Sequence, residues 1–223
     1  MARSVTVTTV TNQSSLMPDL SEPERACLAL AWEAMLAGTN PVGAVVVDGD
    51  GTIVASGRNA VHGPADPTLL SASRLAHAEV NALLRLPVGA HHECLRLVTS
   101  LEPCQMCTGA ARMATVGALT FIGADPVNGT AWALAHDRYV GHRPVQVTGP
   151  RPDTAGRLAS ALAFAFVQVR KPSSAFVAAF RERRPDLAAG ADDLIAAGLM
   201  DLVRHGAPWA EAAPSLLAAV EAA

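Results

Sequence analysis

Apolar residues in the first third of the chain fall into short runs whose spacing switches from that of a helix to that of strands. Ser21 and Glu24 form a capping box, and apolar residues follow them at helical spacing until Gly38. The β-branched run Val42–Val47 predicts a buried strand, and the turn residues after it predict a hairpin with a second strand over 52–56. The chain is therefore expected to open with a helix followed by a β-hairpin.

The alternation of helical and strand patterns continues to residue 148. Gly, Asn, Pro and Asp without period predict a loop over 57–74, and a second irregular segment with some helix is predicted over 125–140. The patterned segments predict helices over 77–86 and 104–115 and strands over 94–100, 118–123 and 145–148. Strands joined by single helices imply parallel neighbours with right-handed crossovers, so the predicted fold class is an α/β sandwich.

The C-terminal third is rich in Ala and predicts helices. The segment 153–180 has a helical pattern that is interrupted near Pro172. A small helical extension follows, with four apolar residues on one face: Ile195, Leu199, Leu202 and Val203. The predicted organisation is a flexible leader over 1–18, a catalytic domain over 19–183 and the helical extension over 184–223.

The composition narrows the function classes. Of the 223 residues, 50% are hydrophobic and 17% charged, which favours a packed core over disorder. A net charge of −3 and an aromatic content of 4% argue against a protein that mainly binds extended nucleic acid. No apolar run approaches the ~20 residues of a membrane span, and the first residues lack the pattern of a signal peptide. A cytoplasmic protein whose four cysteines are free thiols is therefore expected.

Two short motifs carry the candidate chemistry. His77-Ala-Glu79 begins one predicted helix, and Pro103-Cys104-Gln-Met-Cys107 begins the next. Either motif alone is weak, and Cys-x-x-Cys also fits a thiol redox protein. Together, one imidazole and two thiolates make a three-ligand zinc site whose fourth position stays open for a bound water, which is typical of catalytic rather than structural zinc.

The charge of the zinc site indicates that Glu79 transfers protons and is not a metal ligand. Two thiolates cancel the charge of zinc, so the metal activates its water less than an all-histidine site does, and a carboxylate is needed to move the proton. Because residues i and i+2 of a helix point apart, His77 must lie at the helix cap for this assignment to hold. Asn59 would offer a donor and an acceptor to the edge of a base; the alternative is a simple turn residue.

The remaining histidines near the motifs and the residues of the second irregular segment lack such a motif. His91 and His92 lie in a predicted turn and are expected to be solvated rather than zinc ligands. Three residues of the irregular segment are candidates for lining a substrate pocket: Trp132, His136 and Tyr139.

These motifs resemble those of the cytidine deaminase-like zinc deaminase superfamily, and most closely the branch of tRNA adenosine deaminases and bacterial guanine deaminases. The resemblance covers residues 25–125 well and the rest loosely. The matching runs are Asn40-Pro-Val-Gly-Ala44, Gly57-Arg-Asn59, Asp66-Pro-Thr68, Ala76-His-Ala-Glu-Val80 and Leu101-Glu-Pro-Cys-Gln-Met-Cys-Thr-Gly-Ala110.

The resemblance implies a three-layer α/β/α sandwich around a five-stranded mixed sheet, and a homodimer. It implies one zinc ion per subunit, held by His77, Cys104 and Cys107, with Glu79 as the catalytic proton carrier. The substrate-binding residues that it implies are Asn59, Ala78, Ser100, Leu101, Glu102 and Pro103. The reaction would replace the amino group of a ring carbon by a carbonyl oxygen and release ammonia.

The substrate is left open by a departure from the family pattern. Leu69–Leu75 is inserted between Asp-Pro-Thr and the zinc-binding histidine. The leading hypothesis is a deaminase of a nucleobase, nucleoside or related small heterocyclic amine. The second is a tRNA-specific adenosine deaminase, favoured by a basic cluster of Arg170, Lys171, Arg181, Arg183 and Arg184 but disfavoured by the acidic balance and by the inserted loop. A thiol redox protein and a catalytically silent zinc subunit are more distant alternatives.

Overall fold

Five strands carry the fold, in a computed structural model that describes residue 17 and residues 19–63, 65–88, 92–136 and 145–221. The strands are β1 (Gly43–Val47), β2 (Ile53–Arg58), β3 (Arg96–Leu101), β4 (Ala118–Gly123) and β5 (Gln146–Thr148). Each corresponds to a predicted strand. The predicted leader, apart from residue 17, and the candidates His91 and Tyr139 lie outside the described residues.

The strands form one mixed sheet in the order β2-β1-β3-β4-β5. β1 is antiparallel to both β2 and β3, whereas β4 is parallel to both β3 and β5. The predicted hairpin and the parallel pair around the second crossover are confirmed. The prediction of parallel neighbours is wrong for β2 and β3, because the fully buried β1 lies between them.

Helices follow and precede these strands along the chain. They are α1 (Glu22–Leu36), α2 (Ala78–Leu83), α3 (Gln105–Met113), α4 (Ala133–His136), α5 (Thr154–Arg170), α6 (Ala175–Arg183), α7 (Pro185–Ala196), α8 (Leu199–Arg204) and α9 (Trp209–Glu221). The predicted interruption near Pro172 separates α5 from α6. No described helix is long and apolar enough to cross a membrane.

The sheet has an apolar core on each face, because successive side chains of a strand point to opposite sides. Val45 and Val98 face the core that contains α1, α5 and the C-terminal helices. Val46 and Leu97, their neighbours in the chain, face a second core under α2 and α3. This arrangement is the expected three-layer α/β/α sandwich around a five-stranded mixed sheet.

The C-terminal helices pack on the α1–α5 side, away from α2 and α3. Trp32 of α1 donates a hydrogen bond from Nε1 to the Ala207 carbonyl at 2.7 Å, and its ring lies 6.2 Å from that of Trp209. Leu194 and Leu216 are fully buried in the same core as α5. The extension therefore shares the main core, while a domain boundary at 183/184 stays a prediction.

His92 differs from its prediction. It lies in a 3-10 turn (His92–Cys94) and is buried, with its Nδ1 2.9 Å from the Ala114 carbonyl oxygen. The expectation of a solvated histidine is wrong because the end of α3 approaches this turn, a contact between segments that local spacing does not reveal.

Candidate metal centre

His77 lies at the N-cap of α2, with extended backbone angles (φ −78°, ψ 154°). Because His77 precedes the helix, its ring direction is not governed by helical periodicity. Glu79 is the second residue of the helix and is buried. The sequence required His77 to lie at the helix cap, because residues i and i+2 inside a helix point apart. His77 does lie there, so its ring and the Glu79 side chain can face the same site.

The two cysteines are arranged in the same way on the next helix. Cys104 is the N-cap of α3, again with extended backbone, and Cys107 lies in the first turn. Both helices therefore direct their N-terminal ends, with unpaired N–H groups and partial positive charge, towards the ligands. That field stabilises thiolates.

The three ligand atoms form a triangle of the size that zinc requires. The sulfurs of Cys104 and Cys107 are 3.7 Å apart, and Nδ1 of His77 lies 3.6 Å and 3.5 Å from them. Tetrahedral zinc with ordinary bond lengths predicts about 3.8 Å between two sulfurs and about 3.6 Å between nitrogen and sulfur. The donor set fits zinc, and both cysteines are free thiols rather than a disulfide.

The protonation of the two sulfurs shows why a cation suits this site. The hydrogen bond between the sulfurs lowers the pKa of Cys104 to about 4 and raises the pKa of Cys107 far above its usual range. One thiolate therefore forms readily, but burial and repulsion oppose a second. A divalent cation is what allows both sulfurs to be thiolates at once.

Glu79 lies against these ligands, with a side chain that is only 3% exposed. Burial raises the pKa of its carboxyl group, while the charge of His77 and a hydrogen bond with Cys107 partly offset that effect. A carboxyl group whose pKa is moved towards neutrality accepts and returns a proton more easily than a solvated one. The role of proton carrier stays a prediction for Glu79, and the burial of its carboxyl group favours it.

The end of β2 is packed directly on α2. A Cβ atom placed on Gly57 would lie 2.5 Å from both the Ala78 carbonyl oxygen and the Ala82 nitrogen. Two residues beyond Arg58, the Ala60 N–H bonds to the Ala76 carbonyl at 2.9 Å. Asn59 is therefore held beside the segment that carries the histidine and the glutamate.

The Asn59 side chain is almost fully buried, and its oxygen is occupied. Oδ1 accepts hydrogen bonds from Thr39 Oγ1 at 2.5 Å and from the Val61 N–H at 3.1 Å. Among the described residues its NH2 group has no partner. The sequence-based expectation of both a donor and an acceptor is thus reduced to a donor alone.

Other predicted substrate-binding residues use their polar atoms inside the protein. Ser100 Oγ accepts a hydrogen bond from the Gly43 N–H at 3.0 Å, which ties β3 to β1. Ala78 is buried, and Leu101 is half-buried at the end of β3.

Glu102 and Pro103 hold the loop that precedes α4. Glu102 Oε1 accepts from the Ala131 N–H, and burial raises the pKa of the Glu102 carboxyl group. The Pro103 carbonyl accepts from the Thr130 N–H at 3.0 Å. Substrate contact through these five residues (Ala78, Ser100, Leu101, Glu102 and Pro103) stays a prediction, with the geometry favouring their backbone over their side chains.

The inserted segment, Leu69–Leu75, is held by a residue that no sequence motif singles out. Asn81, buried on α2, accepts from the Leu70 N–H through Oδ1 and donates from Nδ2 to the carbonyls of Leu70 and Arg58. It therefore fastens the insertion to the helix that follows His77. The sequence does contain one indication of this role: Asn81 is a polar residue on the otherwise apolar face of the short helix α2.

The remaining pocket candidates give little support for a role in the site. Trp132 is mostly exposed, and His136 is exposed with its Nδ1 near the Trp132 carbonyl.

The basic cluster at the end of α5 and on α6 is largely paired within the chain. Arg181 and Arg184 form ion pairs with aspartates of α7. Arg170 and Arg183 donate to backbone carbonyls of the α1–β1 loop and of the segment after β4. Because these four arginines already contact aspartates or backbone carbonyls, the cluster is less available to bind phosphate than a patch of unpaired arginines.

Comparison with known proteins places this site in a defined group. Residues 18–122 match the family model described as "Cytidine and deoxycytidylate deaminase zinc-binding region". The guanine deaminase of Bacillus subtilis is 43% identical over 91 residues, which is 39% of this chain and 53% of that protein. The tRNA-specific adenosine deaminase of Haemophilus influenzae is 34% identical over 129 residues, which is 56% of this chain and 70% of that protein.

The same fold occurs in a solved structure of a protein in complex with 2,6-diaminopurine. It is 26% identical, covers 66% of this chain and 82% of that one, and has a TM-score of 0.50. Two longer relatives from Deinococcus radiodurans and Deinococcus deserti, each described as "tRNA(Ile)-lysidine synthase", are 37% identical over 153 and 136 residues. The chain spans about a quarter of the length of these two proteins.

Proposed function

The chain belongs to the zinc-binding cytidine and deoxycytidylate deaminase family, and on this premise we propose that it is a hydrolytic deaminase of a small amino-substituted heterocycle. The observation that carries the proposal is the triangle of His77, Cys104 and Cys107 with a buried Glu79 against it. A thiol redox protein has no need of the histidine or the glutamate, and a silent subunit has no need of a proton carrier.

Three residues would bind the metal, and a fourth would transfer the proton. His77, Cys104 and Cys107 would hold zinc, which supplies an activated water when bound. Glu79 takes a proton from the attacking water and returns it to the departing amine. Water adds to the ring carbon, the bond from that carbon to the amino nitrogen breaks, and the products are a ring carbonyl and ammonia. No oxidant or reductant is needed.

An aminopurine is the substrate that the comparisons favour. The Bacillus subtilis relative is described as a guanine deaminase, and the structural relative was solved with 2,6-diaminopurine. The donor that Asn59 presents suits an aminopurine, because the ring carries an acceptor nitrogen beside the reacting carbon. Cytosine shares this feature, so only the comparisons rank purines ahead of it. We therefore put guanine and 2,6-diaminopurine first among the substrates to test.

The test is an ammonia-release assay with zinc-loaded protein. The panel is guanine, 2,6-diaminopurine, adenine, cytosine, their nucleosides, pterins and triazines, with a tRNA sample beside them. We expect release from at least one aminopurine, and loss of release in Glu79→Gln. Release that persists in Glu79→Gln, or a zinc-free protein with full thiol redox activity and no ammonia release, would contradict the proposal.

A tRNA-specific adenosine deaminase is the second candidate, because the Haemophilus influenzae relative carries out that function and the chain covers 70% of it. The paired basic cluster and the net charge of −3 leave less positive charge for a phosphate backbone. Inosine formation in tRNA, with binding that weakens steeply as salt rises, would place this candidate first.

The homodimer implied by the resemblance also stays a proposal. Three large apolar side chains are exposed on the helical layer that carries the site: Leu84, Met113 and Trp132. A second copy of the chain is the partner that we propose for them. Light scattering should give a dimer for the unaltered protein and a shift towards monomer for Met113→Lys; a monomeric unaltered protein would refute this. A cytoplasmic location stays a prediction.

A further inference from the structure

A short chain of hydrogen bonds ends on the side chain of Asn59. The His62 N–H donates to Thr39 Oγ1 at 3.3 Å, and the Thr39 hydroxyl lies 2.5 Å from Asn59 Oδ1. The Val61 N–H donates to the same oxygen at 3.1 Å. Thr39 is fully buried in the loop between α1 and β1, and Asn59 is 2% exposed.

These contacts fix which end of the Asn59 amide points where. A backbone N–H only donates, so the atom facing Val61 must be the amide oxygen. The Thr39 oxygen already accepts from His62, which leaves its own hydrogen to donate to Asn59. Both lone pairs of Oδ1 are then used, and the NH2 group is left as the free end.

An amide NH2 group held in this way is a prepared hydrogen-bond donor. The side chain is buried, and among the described residues nothing accepts from its nitrogen. A donor without a partner in the protein is satisfied by water or by a ligand, so this NH2 group is available to an acceptor atom of a bound molecule. The packing of Gly57 on α2 and the Ala60–Ala76 hydrogen bond hold the backbone around Asn59 close to the segment 76–82, which carries His77 and Glu79.

We propose that Thr39 is a positioning residue: it holds the Asn59 amide so that its NH2 group donates to an acceptor nitrogen or oxygen of the heterocyclic substrate. This inference rests on the proposed function for the identity of the ligand. Thr39 does not touch substrate; it acts through Asn59. The hydroxyl is what matters, so Ser should replace Thr and Val should not.

The first experiment is steady-state kinetics on whichever aminopurine the unaltered protein deaminates. We expect Thr39→Val to raise KM about 5- to 10-fold with a smaller effect on kcat, and Thr39→Ser to stay within about 2-fold. Asn59→Asp keeps an oxygen for the bonds from Thr39 and Val61 but replaces the NH2 donor by a second oxygen, and it should raise KM at least 10-fold. Full activity in Thr39→Val or Asn59→Asp would overturn the proposal.

A double variant separates positioning from a structural role. If Thr39 acts through Asn59, Thr39→Val adds little to the loss already caused by Asn59→Ala. Independent effects that multiply would show that Thr39 serves only the loop. Thr99→Val is the matched control, because Thr99 is equally buried and its hydroxyl has no partner among the described residues; its kinetics should not change.

A readout without substrate distinguishes this inference from the proposed function. In ¹H–¹⁵N spectra of ligand-free protein, we expect the side-chain NH2 signals of Asn59 to shift or broaden in Thr39→Val and to be preserved in Thr39→Ser. Unchanged signals in Thr39→Val would overturn the positioning role. A protein that releases no ammonia from the panel but shows this spectral change would refute the proposed function alone.

Discussion

His77 and Cys104 both occupy the residue before a helix begins, and Nδ1 of the histidine lies 3.6 Å from Sγ of the cysteine. Two helix N-termini thus meet at one ligand triangle. An N-cap residue has extended backbone, which lets its side chain turn towards a point that helical periodicity would not reach. The same geometry leaves Glu79, inside the first helix, outside the ligand triangle.

Glu79→Gln should abolish turnover without removing the metal. The amide has nearly the same shape as the carboxylate but cannot carry a proton, so ammonia release should fall at least ~10²-fold. Zinc content, measured by atomic emission, should stay near one per chain. Glu182→Gln, on the exposed surface of α6, is the matched control. Near-normal ammonia release from Glu79→Gln would remove this residue from the mechanism.

Cys104→Ala should lose zinc and stability together, since the ligand bonds form only in the folded protein. Cys27→Ala is the matched control, because Cys27 is buried and donates to the Val98 carbonyl but lies outside the ligand triangle. The zinc content of Cys27→Ala should equal that of the unaltered protein. Full zinc occupancy in Cys104→Ala would contradict the assignment of the metal centre.

Gly57→Ala should damage the site through the backbone. The added Cβ would lie 2.5 Å from backbone atoms of α2, which must move away and displace His77 and Glu79. We expect weaker zinc binding and at least a tenfold lower turnover. Gly109→Ala in α3 meets no atom within 4 Å and should stabilise the protein by roughly 0.5–1 kcal/mol. Equal behaviour of the two variants in denaturant and zinc titrations would be inconsistent with this packing.

Leu194→Ala tests whether the C-terminal extension belongs to the main core. Leu194 of α7 is fully buried in the cluster that contains α1 and α5, so its truncation should cost about 2–5 kcal/mol of unfolding free energy. Denaturant unfolding should remain one transition when followed by tryptophan fluorescence and by circular dichroism. Two separate transitions would show that residues 184–223 fold as an independent unit.

Asp153→Asn should change the pH dependence of stability at the start of α5. Burial raises the pKa of Asp153, but hydrogen bonds from the Arg151 guanidinium and the Gly156 N–H outweigh it, and the pKa lies below its ordinary value. The ionised carboxylate therefore stabilises the folded state above pH ~4, and this contribution is lost as pH falls through the lower folded pKa.

The expected difference at pH 7 is about 0.5–1 kcal/mol, because the partly exposed ion pair is screened by water. The variant still caps the helix, since Asn accepts the same N–H bond. Denaturant unfolding at pH 7 and pH 3 measures the effect, with Asp193→Asn on the surface of α7 as control. A difference that stays constant across this range would exclude the charge as its cause.

Much of the fold follows from local patterns. The capping box of Ser21 and Glu24 forms as predicted, and β4 has the predicted bounds of Ala118–Gly123. These features depend on residues a few positions apart, whose spacing sets hydrogen bonding and burial directly. The neighbours of β1 depend instead on how distant segments pack. For this reason the sequence patterns wrongly predicted β2 and β3 as neighbours, whereas β1 lies between them.

The sequence by itself determined the kinds of ligand and their order along the chain, because one imidazole, two thiolates and a carboxylate in short motifs have few joint uses in chemistry. Only the tertiary structure decided that Thr39 and Val61 fix the direction of the Asn59 amide, and that Asn81 fastens the inserted segment to α2. Hydrogen bonds between residues far apart in sequence depend on where the folded backbone places them, and no local spacing encodes that placement.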